Sequence, residues 1–261
     1  MVRWPFARTM YGEVVATERL SPSMVRIVLG GGMVGRFRPT GFTDEYVNAL
    51  FLPEAADYQP PFDPKAARKL DPAVRPRPRR FSVRRWEPDQ QRLTIDFTVH
   101  GDAGYAGSWA NRATPGDRLQ FHQPGGRYAP SPEAPAHLFA GDESALPAIA
   151  RSLEALPAQA VGWALVVVDD ADHHLDLDRP AGIELAWLHR RGATDPAALL
   201  PEAVAGIDVA STRPELFVHG EFGEVRAVRD HLAEQGLTVS GASISPYWRR
   251  GLTDEERRAA R

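Results

Sequence analysis

The chain has no cysteine among its 261 residues. That excludes disulfides, thiolate-ligated zinc, cysteine-ligated iron–sulfur clusters and cysteine nucleophiles, so any redox chemistry here requires a borrowed cofactor. No run of about 18 consecutive apolar residues occurs, and the stretch from Met1 to Met10 has no apolar core of signal-peptide length. A cytoplasmic protein without membrane insertion is expected. A charge of one sign is missing too: 31 basic against 34 acidic residues leave −3. With no long basic block to neutralise phosphates, nucleic acid is not an expected partner.

What is present is an ordinary globular composition, 43% hydrophobic and 25% charged, in a chain long enough for two modest domains. The first half reads as short strands over 13–15, 24–29, 46–52, 80–86, 93–99 and 118–121, punctuated by Pro, Gly and Asp in the manner of a small antiparallel barrel. Between Leu52 and Arg79 lies a Pro-rich stretch too long for a hairpin turn, which points to a surface loop folded around something. The segment 130–135, Pro-Ser-Pro-Glu-Ala-Pro, reads as a linker. After it the rhythm changes to strands at 137–140, 163–168, 184–188 and 216–219, alternating with helices at 145–155, 196–204 and 225–235. Such alternation argues for a parallel α/β sheet. The spacing therefore predicts a β-barrel domain over 1–131 and an α/β domain over 132–261, the latter closing on a helix at 253–261 that opens with Thr-Asp-Glu-Glu and ends in arginines.

Three segments can carry chemistry. In Arg79-Arg80-Phe81-Ser82-Val83, an Arg two residues before an aromatic projects from the same strand face, so it can offer a cation to a diphosphate and a ring to a flavin; an amphipathic edge strand would look the same. From Asp96 a strand runs through His100 and Gly101 into a glycine-rich turn and a short helix bearing Ala106, Gly107, Ser108 and Trp109. The first N–H groups of such a helix face an anion, although glycine turns before helices are commonplace. In Gly141-Asp142-Glu143-Ser144-Ala145 an apolar strand ends at a glycine before a helix, where α/β sheets take nucleotides, without being a GxGxxG fingerprint.

In this order and over nearly the whole chain, these segments resemble the siderophore-interacting protein family, a branch of the ferredoxin-NADP-reductase-like flavoproteins. The resemblance extends to Gly12-Glu13-Val14-Val15, Pro115-Gly116-Asp117, Gly125-Gly126, the run from Gly220 through Glu221 and Phe222 to Arg226, and Tyr247-Trp248-Arg249-Arg250-Gly251. It implies FAD, with Arg79 on its phosphates, Phe81 against the flavin, Ser82 near the isoalloxazine edge, and Val83, Asp96, His100, Gly101 and 106–109 completing the pocket. It implies NADPH or NADH at 141–145, with Glu221 and Phe222 in the same crevice and Tyr247 or Trp248 covering the flavin. The implied substrate is a ferric siderophore drawn by Arg127, Arg249 and Arg250. The chain departs from the family in Tyr105 and Gly107, where Pro and Ser are common, and in Asn48, where Lys is frequent.

The implied activity is reduction of chelated Fe(III) with electrons from NAD(P)H, carried by the flavin with no catalytic side chain, in a monomer. A flavin reductase or electron-transfer component for another acceptor, and a non-catalytic ferric-siderophore binder, are the alternatives. Asp172, His173, His174, Asp176 and Asp178 have no metal-site spacing beyond adjacency and read as a solvated loop. Arg190 and Arg191 suit a phosphate on the dinucleotide ribose, whereas Asp169 and Asp170 repel one, leaving NADH or NADPH open.

Overall fold

The computed structural model describes residues 9–99, 104–237 and 242–252. The chain divides into two compact units, Met1–Arg127 and Tyr128–Arg261. His100, Gly101 and the helix expected at 253–261 lie outside the described residues.

The first unit is a closed barrel of β1 (Thr9–Ser21), β2 (Met24–Gly30), β3 (Tyr46–Phe51), β4 (Arg77–Glu87), β5 (Arg92–Thr98) and β6 (Arg118–His122), in the order β1-β2-β5-β4-β3-β6. All six pairings are antiparallel. Every second residue faces inward, as the two-residue strand period requires: Ile27 and Leu29, Val47, Ala49 and Phe51, Leu93, Ile95 and Phe97, and Leu119 and Phe121 are buried. β1 bulges between Val14 and Ala16 and between Arg19 and Ser21, and the added twist lets one long strand pair with both β2 and β6. Two helices, α1 (Pro64–Ala67) and α2 (Tyr105–Arg112), complete the unit.

In the second unit, β7 (His137–Asp142), α3 (Leu146–Ala155), β8 (Val161–Val168), β9 (Gly182–His189), α4 (Leu199–Ala205), α5 (Val209–Thr212), β10 (Glu215–Glu221), α6 (Phe222–Glu234) and β11 (Ser243–Trp248) form a five-stranded sheet with helices. Its order is β11-β10-β7-β8-β9 and every pair is parallel. β7 is first in the chain and central in the sheet, so the strand order reverses between β7 and β10. Open α/β sheets place their ligand crevice at the carboxyl ends of such a pair.

The α/β and barrel expectations are met, with local differences. β4 begins at Arg77 rather than 80, which puts Arg79 inside the ladder opposite Ala49. α4 begins at Leu199 rather than 196 because the Asp195 carboxylate and carbonyl hold Ala197 and Ala198 in a turn. α6 begins three residues early because Glu221 caps it, accepting from the Gly223 and Glu224 N–H groups. β11 is not among the expected strands: Ser-Ile-Ser-Pro-Tyr-Trp carries a proline and two serines in six residues, and its Pro246 is tolerated because the strand lies at the sheet edge.

Candidate functional site

In the barrel unit, Arg79, Phe81 and Val83 share one face of β4, and Val83 is fully buried. The Phe81 ring lies 4.4 Å from Phe97 and 5.8 Å from Phe51, and Trp109 on α2 lies 5.8 and 5.7 Å from the same two rings. The segments around Arg79 and Trp109, far apart in sequence, therefore meet in one aromatic cluster. Phe81 is only partly buried, which leaves ring surface for a flat ligand. Ser82 lies on the opposite face, buried and across from Tyr46.

α2 opens with Gly104 at φ +77°, a conformation glycine adopts without strain, and no side chain among the described residues caps it. No side chain among the described residues takes its first-turn N–H groups, which suit an anion. Ala106 and Ser108 are buried and Gly107 is half-buried; Trp109 is also half-buried, with its ring packed on the barrel core. A cavity of about 530 Å³ adjoins this helix, lined by Leu50, Phe51, Leu52, Ala56, Tyr58, Gln59, Pro60, Trp109 and the 116–119 turn. Its far wall is the Pro-rich loop, which is held in place. The Tyr58 hydroxyl donates to the Val74 carbonyl at 2.7 Å, and the buried Gln120 side chain exchanges two 2.9 Å hydrogen bonds with the Phe62 backbone. Sequence reasoning named the loop but not Leu50, Tyr58 or Pro60; its excess length was the only signal.

Asp96 goes elsewhere. It points away from the Phe97 face and forms a bidentate pair with Arg26 at 2.7 and 2.8 Å, with Arg84 at 4.0 Å. Arg127 is exposed, its backbone N–H donating to Asp44 at 2.8 Å.

In the second unit, the carboxyl ends of β7 and β10 hold a network of acids and their partners. Gly141 and Gly220 make it possible: a Cβ on Gly141 would collide with the His219 carbonyl and stand 2.8 Å from Ala145 Cβ, and one on Gly220 would stand 2.7 Å from Asp142 Oδ2. Asp142 accepts from the Ser144 hydroxyl at 2.5 Å, the Ser144 N–H at 2.8 Å and the Trp248 indole N–H at 2.7 Å. Burial and the neighbouring Glu143 charge push Asp142 above the ordinary carboxylate range, against the pull of those donors. Glu143 is itself buried and clamped by Arg190 at 2.6 and 2.8 Å.

Glu221 caps α6 and also accepts from the Arg250 N–H at 2.9 Å; the Arg250 guanidinium donates to Glu224 at 2.7 Å. Burial, then the Asp142 charge, raises Glu224 to about 7. Burial lowers His219, inside β10 rather than at its end, to about 4; its ring lies 4.7 Å from Tyr247 and it bonds Ser243 at 2.9 Å. Phe222 is exposed beneath the Arg249 guanidinium, 4.9 Å from the ring centre. Of the three arginines expected to draw a chelate, Arg250 is therefore committed to acids of its own unit. In the stretch read as a solvated loop, His173 bonds Asp170 at 2.7 Å and His174 bonds His189 at 2.8 Å. Among the described residues no group of three or more His, Cys, Asp or Glu is placed to hold a metal ion.

Comparison with known proteins covers both units. Residues 13–128 match the siderophore-interacting FAD-binding domain model and residues 134–251 match the siderophore-interacting protein model. An uncharacterized protein of Mycobacterium tuberculosis is 40% identical over 263 residues, covering 93% of this chain and 91% of its own. The ferric vibriobactin reductase ViuB of Vibrio cholerae is 30% identical over 246 residues, covering 93% and 90%. Among solved structures, the siderophore-interacting protein SipS from Aeromonas hydrophila superposes with a TM-score of 0.82 at 29% identity, over 97% of this chain and 96% of that one.

Proposed function

The chain belongs to the siderophore-interacting protein family, and from that premise we propose that it is a cytoplasmic, monomeric ferric-siderophore reductase using FAD and NAD(P)H. In this reading residues 1–131 hold FAD and residues 132–261 receive the nicotinamide. The observation that carries it is the barrel unit's meeting of two half-buried rings, Phe81 and Trp109, beside a cavity of about 530 Å³ that Trp109 lines, with a helix that no described side chain caps.

The residues present fit FAD. Arg79 and the first N–H groups of α2 supply charge-assisted and backbone donors for a diphosphate. Phe81 and Trp109 supply ring surface, whereas Ser82 is buried on the opposite face of β4 and Val83 is fully buried. When bound, FAD supplies the conversion of a two-electron hydride donor into one-electron steps. The balance is NAD(P)H plus two Fe(III) chelates giving NAD(P)⁺, H⁺ and two Fe(II) chelates; hard oxygen donors hold Fe(II) less well, so reduction loosens the iron.

The second unit's residues position. Arg190 fixes Glu143 and with it the 141–145 turn; Trp248 and Arg250 fix the segment after β11 through Asp142, Glu221 and Glu224. Glycine at 141 and 220 lets the ends of β7 and β10 pack closely enough to seat Asp142 against Gly220. Arg127 and Arg249, with no carboxylate partner among the described residues, are the cations proposed to attract an anionic chelate. The name of ViuB, acting on ferric vibriobactin, supports chelated iron as the acceptor.

The test is anaerobic mixing of FAD-loaded chain with NADH or NADPH and a panel of ferric chelates over a ferrous trap. Chelate-dependent Fe(II) with reoxidation of the flavin is expected. Flavin bleaching without Fe(II) would sink the reductase while sparing the flavoprotein, and failure to take up FAD would leave the carrier reading.

A further inference from the structure

Resting on the reading that the second unit receives a nicotinamide dinucleotide, the charge pairing at the ends of β8 and β9 says which one. The two strands stay in register past their ends: the Arg190 N–H donates to the Val168 carbonyl and the Arg191 N–H to the Asp169 carbonyl, both at 2.9 Å. Asp169, Asp170, Arg190 and Arg191 are thereby fixed side by side, on the neighbours of the β7 turn, where the adenosine half of a dinucleotide crosses a parallel sheet.

A ribose 2′-phosphate is read by an available arginine, a ribose diol by a carboxylate. Neither arginine is available. Arg190 is bidentate on Glu143 and touches Asp169 at 3.2 Å; withdrawing it would strand a carboxylate that is only 4% exposed. Arg191 is exposed but salt-bridged to Asp170, which also bonds the His173 ring at 2.7 Å and the Asp172 N–H. Asp169, by contrast, has a half-exposed side chain that meets Arg190 through a single contact, so its carboxylate keeps acceptor capacity.

Counting the rim gives Glu143, Asp169 and Asp170 against Arg190 and Arg191, three negative charges to two positive. A phosphate carrying about 1.5 to 2 negative charges would enter a site already net negative, whereas a diol is neutral. We propose that the rim of β8 and β9 selects NADH over NADPH, with Asp169 accepting the hydroxyls of the adenosine ribose.

The test has two arms. In the first, the FAD-free full chain is titrated calorimetrically with 5′-AMP and with adenosine 2′,5′-bisphosphate. AMP is expected to bind at least fivefold tighter, and Asp169→Asn to erase that difference. In the second, FAD-loaded chain is reduced anaerobically by each dinucleotide. NADH is expected to be favoured at least tenfold in kcat/KM, and Asp169→Asn to narrow the ratio at least fivefold through the KM values. Tighter binding of the bisphosphate, or faster reduction by NADPH, overturns the selection while leaving a nicotinamide-dependent enzyme. A ratio unmoved by Asp169→Asn removes the role of that residue. Binding of neither nucleotide together with reduction by neither dinucleotide overturns the nicotinamide reading itself, and the selection with it.

Discussion

The two units present polar groups in opposite states. In the barrel, Trp109 lines a cavity, the neighbouring Phe81 ring is only partly buried, and α2 has no side-chain cap among the described residues. In the α/β unit, nearly every acid at the strand ends is matched by a donor from its own unit: Asp142 by Trp248 and Ser144, Glu143 by Arg190, Glu221 by α6 and Arg250. On the proposed reading, a site that holds a cofactor through repeated turnovers gains from ring surface and a helix N-terminus that no described side chain fills. One that, on the proposed reading, admits and releases a dinucleotide at every cycle is better served by a crevice whose shape persists without it.

The largest test of that difference is a pair of glycines. Gly141→Ala puts a methyl into the His219 carbonyl between two central strands, and a loss of about 3 kcal/mol or more is expected in urea unfolding. Gly104→Ala meets nothing within 4 Å and should cost only about 1 kcal/mol for its positive φ. Equal losses would show that the turn of the barrel site is as tightly packed as the sheet crevice.

Next in size is the pH dependence of the crevice. The folded chain holds a proton on Glu224 up to about pH 7, whereas the unfolded chain releases it near the ordinary 4.5, so this contribution is present at low pH and lost as pH rises through that window. At about 1.4 kcal/mol per unit the swing is about 3 kcal/mol. His219, lowered from 6.5 to about 4, has the opposite slope: its contribution is present above 6.5 and lost as pH falls toward 4. The stability of Glu224→Gln relative to the native chain should therefore rise by about 3 kcal/mol between pH 4.5 and 8. A flat difference would mean that Glu224 ionises freely and the crevice is wetter than its burial suggests.

On the barrel side the corresponding effect is on affinity. Arg79→Ala should weaken FAD binding by about ten- to a hundredfold, the worth of a charge-assisted hydrogen bond to a phosphate, with little change in unfolding free energy. Trp248→Phe should do the reverse, costing about 1 to 3 kcal/mol of stability by stranding Asp142 while FAD affinity holds. Flavin fluorescence titration and urea unfolding of both variants separate the two.

These contrasts explain what the sequence could disclose. Strands such as 24–29 and 93–99 are legible because alternation is enforced by a barrel interior, and the alternating strands and helices of the second half announce a parallel sheet. The segments around Arg79, Trp109 and Gly141 are legible as motifs because glycine turns and strand cations keep a local signature. The rest depends on pairing across distance. Nothing local says that Asp96 is claimed by Arg26, 70 residues away, that Arg190 belongs to Glu143, 47 away, or that Trp248 reaches back 106 residues to Asp142. β11 has a weaker signal because, at the sheet edge and half-open to solvent, it is short and interrupted by Pro246.

The smallest expected effect bears on a crevice arginine with no carboxylate partner among the described residues. Arg249 rests on the exposed Phe222 ring at 4.9 Å, a contact worth about 0.5 to 1 kcal/mol at the surface. If its work is structural, Arg249→Ala loses that much stability and Arg249→Lys, which keeps a cation over the ring, recovers most of it. If its work is to draw an anionic ferric chelate, both variants should show a KM shift that depends on charge: severalfold for Ala, little for Lys, and shrinking for both as salt is raised from 50 to 500 mM, because attraction between exposed charges is screened over about 10 Å or less. A salt-independent KM for the native chain would take Arg249 out of substrate capture. It would then join Arg190 and Arg250 as a residue that shapes the crevice, and the same result would remove the exposed Arg127 as a cation that draws the chelate.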